Sequence, residues 1–443
     1  MANEFVQREG IALLDMELRV SDTKTIPILG QSVILTKAEI VETCEGISNA
    51  TFFVQSATRD YVDKLLKEAQ ADKTPRMRWR LGIGFPDGAA EWIPWQDHII
   101  RSSGSALEGL GAASGYTTIL KTADVLWEID RINRTSARKG KISEIVQAVV
   151  DRYGLPSVIE PTKTNGLYYQ SYISDFQFIK QRMVPRALND KGRGNYQFYI
   201  RDGTLHFHTI DYQAELKDFV YYGSPGSKLT VQDQAQELID EGAAGVRVVF
   251  YDPYTGKFGA ESSNPEHTLR LSNTSPDTLK LAGAERNIML TVGTNRDIDP
   301  ASITSNVFES AKSGVYTLTL MIPKTLFFRA NDLCRITIQP DNKQVPPSSG
   351  TYQVYKIVHS VDKTSLVSEV VLRRGEFLSK DKTHGDLQKS GESVIQPSRG
   401  AEGQDPNFKS VASSAITKGS GKQMSRTTII ETQSANSSPD SFS

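Results

Sequence analysis

The sequence predicts an α+β, mainly β protein: two barrel-like tube domains, an inserted α+β domain and an extended C-terminal arm. Three observations predict it. Period-two alternation of apolar and polar residues recurs in two long stretches, helical periodicity lies between them, and polar sequence poor in aromatics closes the chain. At 443 residues the chain exceeds what one hydrophobic core usually serves, so several cores are expected. The resulting division is a first β-barrel-like domain over 1–132, an inserted α+β domain over 133–220, a second β-barrel-like domain over 221–380 and a low-complexity arm over 381–443.

The first β unit opens on Leu14-Asp15-Met16-Glu17-Leu18-Arg19-Val20, the alternation of a half-buried strand. A helix is expected over 61–69, where Val62, Leu65, Leu66 and Ala69 recur at helical spacing behind a cap at Asp60. Met77-Arg78-Trp79-Arg80-Leu81-Gly82-Ile83 then alternates, Pro86-Asp87-Gly88 reads as a turn, and Glu91-Trp92-Ile93-Pro94-Trp95 begins a return strand. Helical character begins at Ile142, Ile145, Val146, Val149 and Val150, an apolar stripe that stops at Gly154-Leu155-Pro156. A second helix is expected from Ser174, because Ser174-Asp175-Phe176-Gln177 has the spacing of a capping box. Phe176, Ile179 and Met183 share its face, and Pro185 should kink or end it. Tyr196-Gln197-Phe198-Tyr199-Ile200 and Thr204-Leu205-His206-Phe207-His208 flank Arg201-Asp202-Gly203, a tight-hairpin signal.

Strand pattern returns at Val246-Arg247-Val248-Val249-Phe250, with a turn over 252–256 and a helix expected over 302–312. The strands at 315–320, 334–338, 352–359 and 369–374 alternate in turn, a density of short strands that favours a barrel. In the arm, from about Gly385 onward, the aromatics are Phe408 and Phe442 and small polar residues dominate, which predicts disorder in isolation or a strap onto neighbouring subunits.

Composition narrows the function. Lys and Arg number 51 against 52 Asp and Glu, a net charge of −1, which disfavours a dedicated DNA-binding protein. Arg76, Arg78 and Arg80 alternate along one strand, a positive stripe or simply a solvated face. Cys44 and Cys334 have no partner spacing for zinc or a disulfide framework and read as buried thiols. His206 and His208 leave one face of a strand, two ligands of a metal site that lacks a third; half-exposed histidines are the plainer reading. The glycines over 102–116 lack the Lys-Ser/Thr ending of a phosphate loop and read as a flexible surface loop. Glu237 and Glu241 lie four apart with no sign of a sugar cleft between them, and Glu369 reads as an outward-facing strand residue. Trp92 and Trp95, three apart on a strand, should point to opposite faces with at least one in the core. The start lacks a signal peptide's basic and apolar segments, and no apolar run is long enough to span a membrane.

Three motifs in the insert resemble the phage tail hub family that includes late control protein D and the hub half of type VI VgrG proteins. They are the helix from Ile142 ending in Tyr153-Gly154-Leu155, the Ser174-Asp175-Phe176-Gln177-Phe178-Ile179 opening, and the Asp202-Gly203-Thr204-Leu205-His206-Phe207 hairpin. Gly350-Thr351-Tyr352-Gln353-Val354 through His359, closing with Leu372-Arg373-Arg374, is similar to the family's final strands. Pro185 and the insertion over 189–195 depart from the family pattern. The resemblance implies a non-enzymatic baseplate hub with no cofactor: a homotrimer whose two tube domains per chain make a pseudo-six-fold ring. Implied partners are the tail tube protein, the spike protein, the tape-measure protein and other baseplate proteins, with DNA passing transiently, in a virion assembled in the host cytoplasm. The other readings are a tail-associated peptidoglycan hydrolase on the same scaffold, or a receptor-binding tail protein in which Trp92 and Trp95 stack on sugars.

Overall fold

In a computed structural model, the structure describes residues 10–20, 24–30, 33–56, 67, 76–108, 115–210, 212–221, 227–233, 246–252, 257–262, 286–291, 306, 316–338, 350–363, 365–374 and 426–430. The first β unit comprises β1 (Ile11–Arg19), β2 (Thr25–Pro27), β3 (Val33–Thr43), β4 (Glu45–Gly46), β5 (Asn49–Ser56), β6 (Arg76–Gly84), β7 (Ala90–Trp92), β8 (Gln96–Glu108) and β9 (Gly115–Ala123). The middle of the chain forms α1 (Leu126–Ile129), β10 (Asn133–Lys141), α2 (Ile142–Val150), β11 (Ser157–Ile159), β12 (Asn165–Ser174), α3 (Asp175–Phe178), β13 (Gln197–Arg201) and β14 (Thr204–His208). Then come β15 (Leu216–Tyr221), β16 (Lys228–Asp233), β17 (Val246–Asp252), β18 (Lys257–Ser262), β19 (Arg286–Thr291), β20 (Tyr316–Pro323), β21 (Leu333–Ile338), β22 (Gly350–Asp362), β23 (Ser365–Arg374) and β24 (Arg426–Ile430).

Alternation decides which face each strand buries. In β6 the apolar Met77, Trp79 and Leu81 point inward while Arg76, Arg78 and Arg80 stay half-exposed. Strands β1, β6, β8, β9, β5 and β3 are neighbours in that order, and Met16, Leu18, Ile40, Phe52, Trp79 and Leu120 from across this run meet in one core. β3 then pairs antiparallel with β22, Thr43 opposite Lys356 through Lys37 opposite Asp362. The two β units therefore share one sheet, and Leu326, Val361 and Leu366 pack into the first unit's core. A second core lies under β20–β23, around Leu318, Phe328, Val354 and Leu372. Hydrogen bonding among the described residues follows an open path from β2 to β24, so the mainly β expectation holds while the closed ladder of a barrel is not shown.

The middle region has its own core. The apolar stripe of α2 packs on Phe176, Phe178, Phe198 and Phe207. α2 ends through a 3₁₀ turn onto Gly154, whose φ of 62° is the left-handed conformation that stops a helix. The segment expected as one helix from Ser174 is three unlike turns: α-helical over Asp175–Phe178, π over Ile179–Met183 and 3₁₀ over Val184–Arg186. Pro185 lacks the amide that a regular helix would need there, and the helix ends at it. Ser174 Oγ accepts the Gln177 backbone amide at 3.0 Å, whereas the Gln177 side-chain Oε1 accepts from Gln181 Nε2 at 2.7 Å, so the expected return contact of a capping box is replaced by a contact one turn on. The β13–β14 hairpin turns at Asp202 and Gly203, both at positive φ (51° and 73°), as the Asp-Gly pair requires.

Two expectations are corrected. Residues 102–108 are not a loop, because they form the end of β8, paired from Ser102–Lys121 to Glu108–Gly115. Small residues carry no apolar contrast for period-two reading, yet their backbone groups complete the ladder as well as any others. The strand containing Trp92 ends at that residue, so period-two geometry does not reach Trp95. The helices expected over 61–69 and 302–312 lie outside the described residues apart from Lys67 and Asn306, as do the turn over 253–256, Glu237, Glu241 and the arm other than β24, which pairs with β16.

Candidate functional site

The inserted hairpin meets both β units in a knot of charge. Its turn residue Asp202 accepts from Arg329 Nη2 at 2.8 Å and from Gln96 Nε2 at 2.7 Å. Arg329, with 7% of its side chain exposed, also donates through Nε to Glu42 Oε2 of β3 at 3.0 Å. Next to it Arg201 Nη1 and Lys217 Nζ donate to the two oxygens of Asp332 at 2.7 and 2.6 Å, and Asp332 Oδ2 also accepts the Arg329 amide. Burial opposes charge on Arg329, but Glu42 and Asp202 overcome it and hold the guanidinium more firmly protonated than usual. Burial likewise works against the Asp202 carboxylate, and Arg329, Gln96 and Arg201 outweigh it, so its pKa lies below the ordinary value. β3, β8, the hairpin, the segment after β20 and β15 are thus tied at one point. Asp202 was legible as a turn residue, but its ion pair spans 127 residues, and no local pattern announces Arg329, Asp332, Glu42 or Lys217.

A buried polar chain runs beside the knot. Gln353 Nε2 donates to Asn331 Oδ1 at 2.6 Å, Asn331 Nδ2 donates to the Tyr199 hydroxyl at 2.9 Å, and that hydroxyl lies 3.4 Å from His208 Nε2. His208 Nδ1 sits 2.7 Å from the Thr209 carbonyl, which only accepts, so Nδ1 carries the proton and Nε2 is an acceptor. His206 Nδ1 approaches the same Nε2 at 3.3 Å, and its ring stacks on Tyr199. The two histidines do share a face, but His208 is buried rather than half-exposed, because the loop after β14 covers it. Desolvation lowers both pKa values, His206 to about 4. No group of three or more His, Cys, Asp or Glu is placed to hold a metal among the described residues.

The remaining sequence candidates resolve into packing and caps. Asp175 is fully buried and ion-paired with Arg134 and Arg152, Phe176 and Phe178 lie in the middle core with Leu205 and Phe207, and Gly203 supplies the hairpin turn. Tyr352 is buried in the second unit's core, and His359 lies buried with Nδ1 2.8 Å from Ser368 Oγ. Burial pushes His359 down to about 4. Cys44 and Cys334 are buried thiols whose pKa values burial raises. Glu369 is exposed. Arg76, Arg78 and Arg80 pair with Glu128, Glu17 and Asp15 at 2.8, 2.6 and 2.6 Å, so the stripe is neutralised. Trp92 and Trp95 are both half-buried and both cover Arg80, at 4.3 and 4.6 Å from its guanidinium, on one face and not two. A narrow cleft behind the knot is lined by Glu42, Trp79, His98, Asp124, Arg201 and Arg329. Burial pushes Asp124 up to about 7 there, yet its two oxygens accept the Ser48 and Leu126 amides, which makes it a cap. No helix among the described residues is long and apolar enough to cross a membrane.

No family model and no curated protein matches the sequence. Solved structures do. A tail protein from Neisseria meningitidis MC58 superposes with a TM-score of 0.50 at 11% identity, over 82% of this chain and 96% of its own. The 43 kDa tail protein of prophage MuSo2 from Shewanella oneidensis gives 0.47 at 8% identity, over 82% and 96%. A chain of a Francisella PdpA-VgrG complex gives 0.48 at 11% identity, over 85% of this chain and 59% of that one. The chain has the fold of the Neisseria tail protein, and the resemblance drawn from its motifs holds at the level of fold.

Proposed function

We propose that this chain is the structural hub of a phage-type tail baseplate, a homotrimer whose paired β units form a pseudo-six-fold ring between tail tube and spike. The observation that carries the reading is the β3–β22 ladder, which joins two β units side by side in a chain with the fold of a tail protein. A ring that must pass force and cargo needs rigid joints, and the Arg329 knot fastens the insert to both units at their seam. Charge supports the same reading. With a net charge of −1 and with Arg76, Arg78 and Arg80 each paired to a carboxylate, the wall is not one that would hold DNA phosphates in transit. In this reading the division is 1–132, 133–220, 221–380 and 381–443, and the arm straps the hub to a neighbouring baseplate or spike protein. The tape-measure protein and then DNA pass through the lumen, and no residue is assigned a catalytic role.

The test is the solution mass by light scattering of the purified chain, alone and mixed with a candidate spike protein. A mass three times the 49.0 kDa of one chain is expected for the chain alone, or that mass plus the bound spike in the mixture. A stable dimer in both would overturn the hub and return a hydrolase or receptor-binding reading to the front.

A further inference from the structure

The ribbon formed by β10 and β12 carries a cationic cluster that the hub reading leaves unused. Arg134, Ser136 and Arg138 leave one face of β10 by strand periodicity, and Arg152 reaches the same place from the turn after α2. Their common anion is Asp175, which is fully buried. Oδ1 of Asp175 accepts from Arg152 Nη2 and Gln170 Nε2, both at 2.9 Å, and Oδ2 accepts from Tyr153 at 2.7 Å and faces Arg134 Nε at 3.2 Å. Hydrogen bonds from Arg152, Gln170 and Tyr153 take three of the about four acceptor directions of the carboxylate, and Arg134 adds an ion pair at Oδ2. Ser136 Oγ, 3.0 Å from Gln170 Oε1, further fixes the floor of the site.

Arg138 is left over. Its Nε is buried with no hydrogen-bond partner, and no ion pair reaches it among the described residues. Desolvation and the repulsion of Arg152 and Arg134 outweigh the pull of Asp175 and lower its pKa. Three guanidinium groups therefore share the field of one carboxylate that ion-pairs with two of them, while Arg134 and Arg152 stay 39% and 32% exposed and open to a ligand. We propose that Arg138, with the outer edges of Arg134 and Arg152, receives one carboxylate from an acidic segment of a protein partner. The planar fork of arginine matches a carboxylate in two parallel hydrogen bonds, which favours this class. A nucleic-acid backbone would ask instead for cations spaced along a line, and here they meet at a point.

The experiment uses the full chain at low salt with a labelled glutamate-rich peptide, read by fluorescence anisotropy. Saturable binding is expected, weakened about tenfold or more in Arg138→Gln and partly restored in Arg138→Lys, which keeps the charge but not the fork. The thermal midpoint of Arg138→Gln should equal or exceed that of the parent, since the residue removed is an unpaired cation, so loss of binding is separable from loss of fold. Absence of peptide binding, or equal binding by Arg138→Gln, would overturn the site. If a DNA duplex or inorganic phosphate bound in an Arg138-dependent way while the peptide did not, the assignment to a protein partner would fail.

Discussion

Single residues set the cost of breaking the knot. A buried ion pair contributes little against a well-packed apolar alternative, but removing one member strands the others. Arg329→Met takes from Glu42 and Asp202 the guanidinium that both pair with, and should destabilise by about 3–5 kcal/mol in urea unfolding. A loss under about 1 kcal/mol would mean that water takes over for the guanidinium. The buried histidines predict acid sensitivity. His98 and His359 fall to about 3 and about 4 through burial, from an ordinary 6.5, so the unfolded chain takes up protons first as pH drops below 6.5. Stability should then decline from pH 6.5 towards pH 4. Asp124, raised to about 7, acts in the opposite sense: its neutral form favours the fold, a contribution lost as pH rises through 7, so it offsets part of the slope. Asp202, held below its ordinary value, adds its own loss only as pH falls below about 4. His206, lowered to about 4, and His208, also lowered by burial, act in the same sense, so replacing both His98 and His359 with Gln should remove about half of the slope in denaturant midpoints between pH 6.5 and 4, and an unchanged slope would refute the assignment.

Elements are held by their ends. Ser174 accepts the Gln177 amide and donates to Asp130 Oδ1 at 2.6 Å, so Ser174→Ala loses both a cap and a tether, at about 1–2 kcal/mol. Tyr172 makes the opposite case. It is the extra residue of a bulge in β12, with Ser171 and Ile173 paired to successive residues of β10, and it sits at φ 53° with its side chain 74% exposed. A left-handed conformation costs an L-residue about 1–2 kcal/mol, so Tyr172→Gly should raise the thermal midpoint. A lower midpoint would show that the exposed ring carries a contact that outweighs the strain.

Across the whole molecule, the shared sheet and the shared core predict that the two β units unfold together. Leu366 belongs to β23 yet packs in the first unit's core, so Leu366→Ala should cost about 2–5 kcal/mol and shift one cooperative transition. Two calorimetric transitions, only one of them moved, would mean that the ladder between β3 and β22 does not couple the units.

What the sequence determined by itself was local: the alternation of β6 and β23, the apolar stripe of α2 with its glycine stop, the Ser174 cap and the Asp-Gly turn. Each rests on residues within a few positions of one another, where periodicity and turn stereochemistry leave little choice. Reading failed where local signal was weak or misplaced, as in the small-residue end of β8 and the pair Trp92 and Trp95, whose strand stopped between them. Tertiary structure alone decided the joining of β3 to β22, the meeting of Glu42, Asp202 and Arg329, and the leftover cation at Arg138. Those outcomes depend on which distant carboxylate reaches a buried guanidinium first and how many donors it then accepts, and no stretch of neighbouring residues encodes that count.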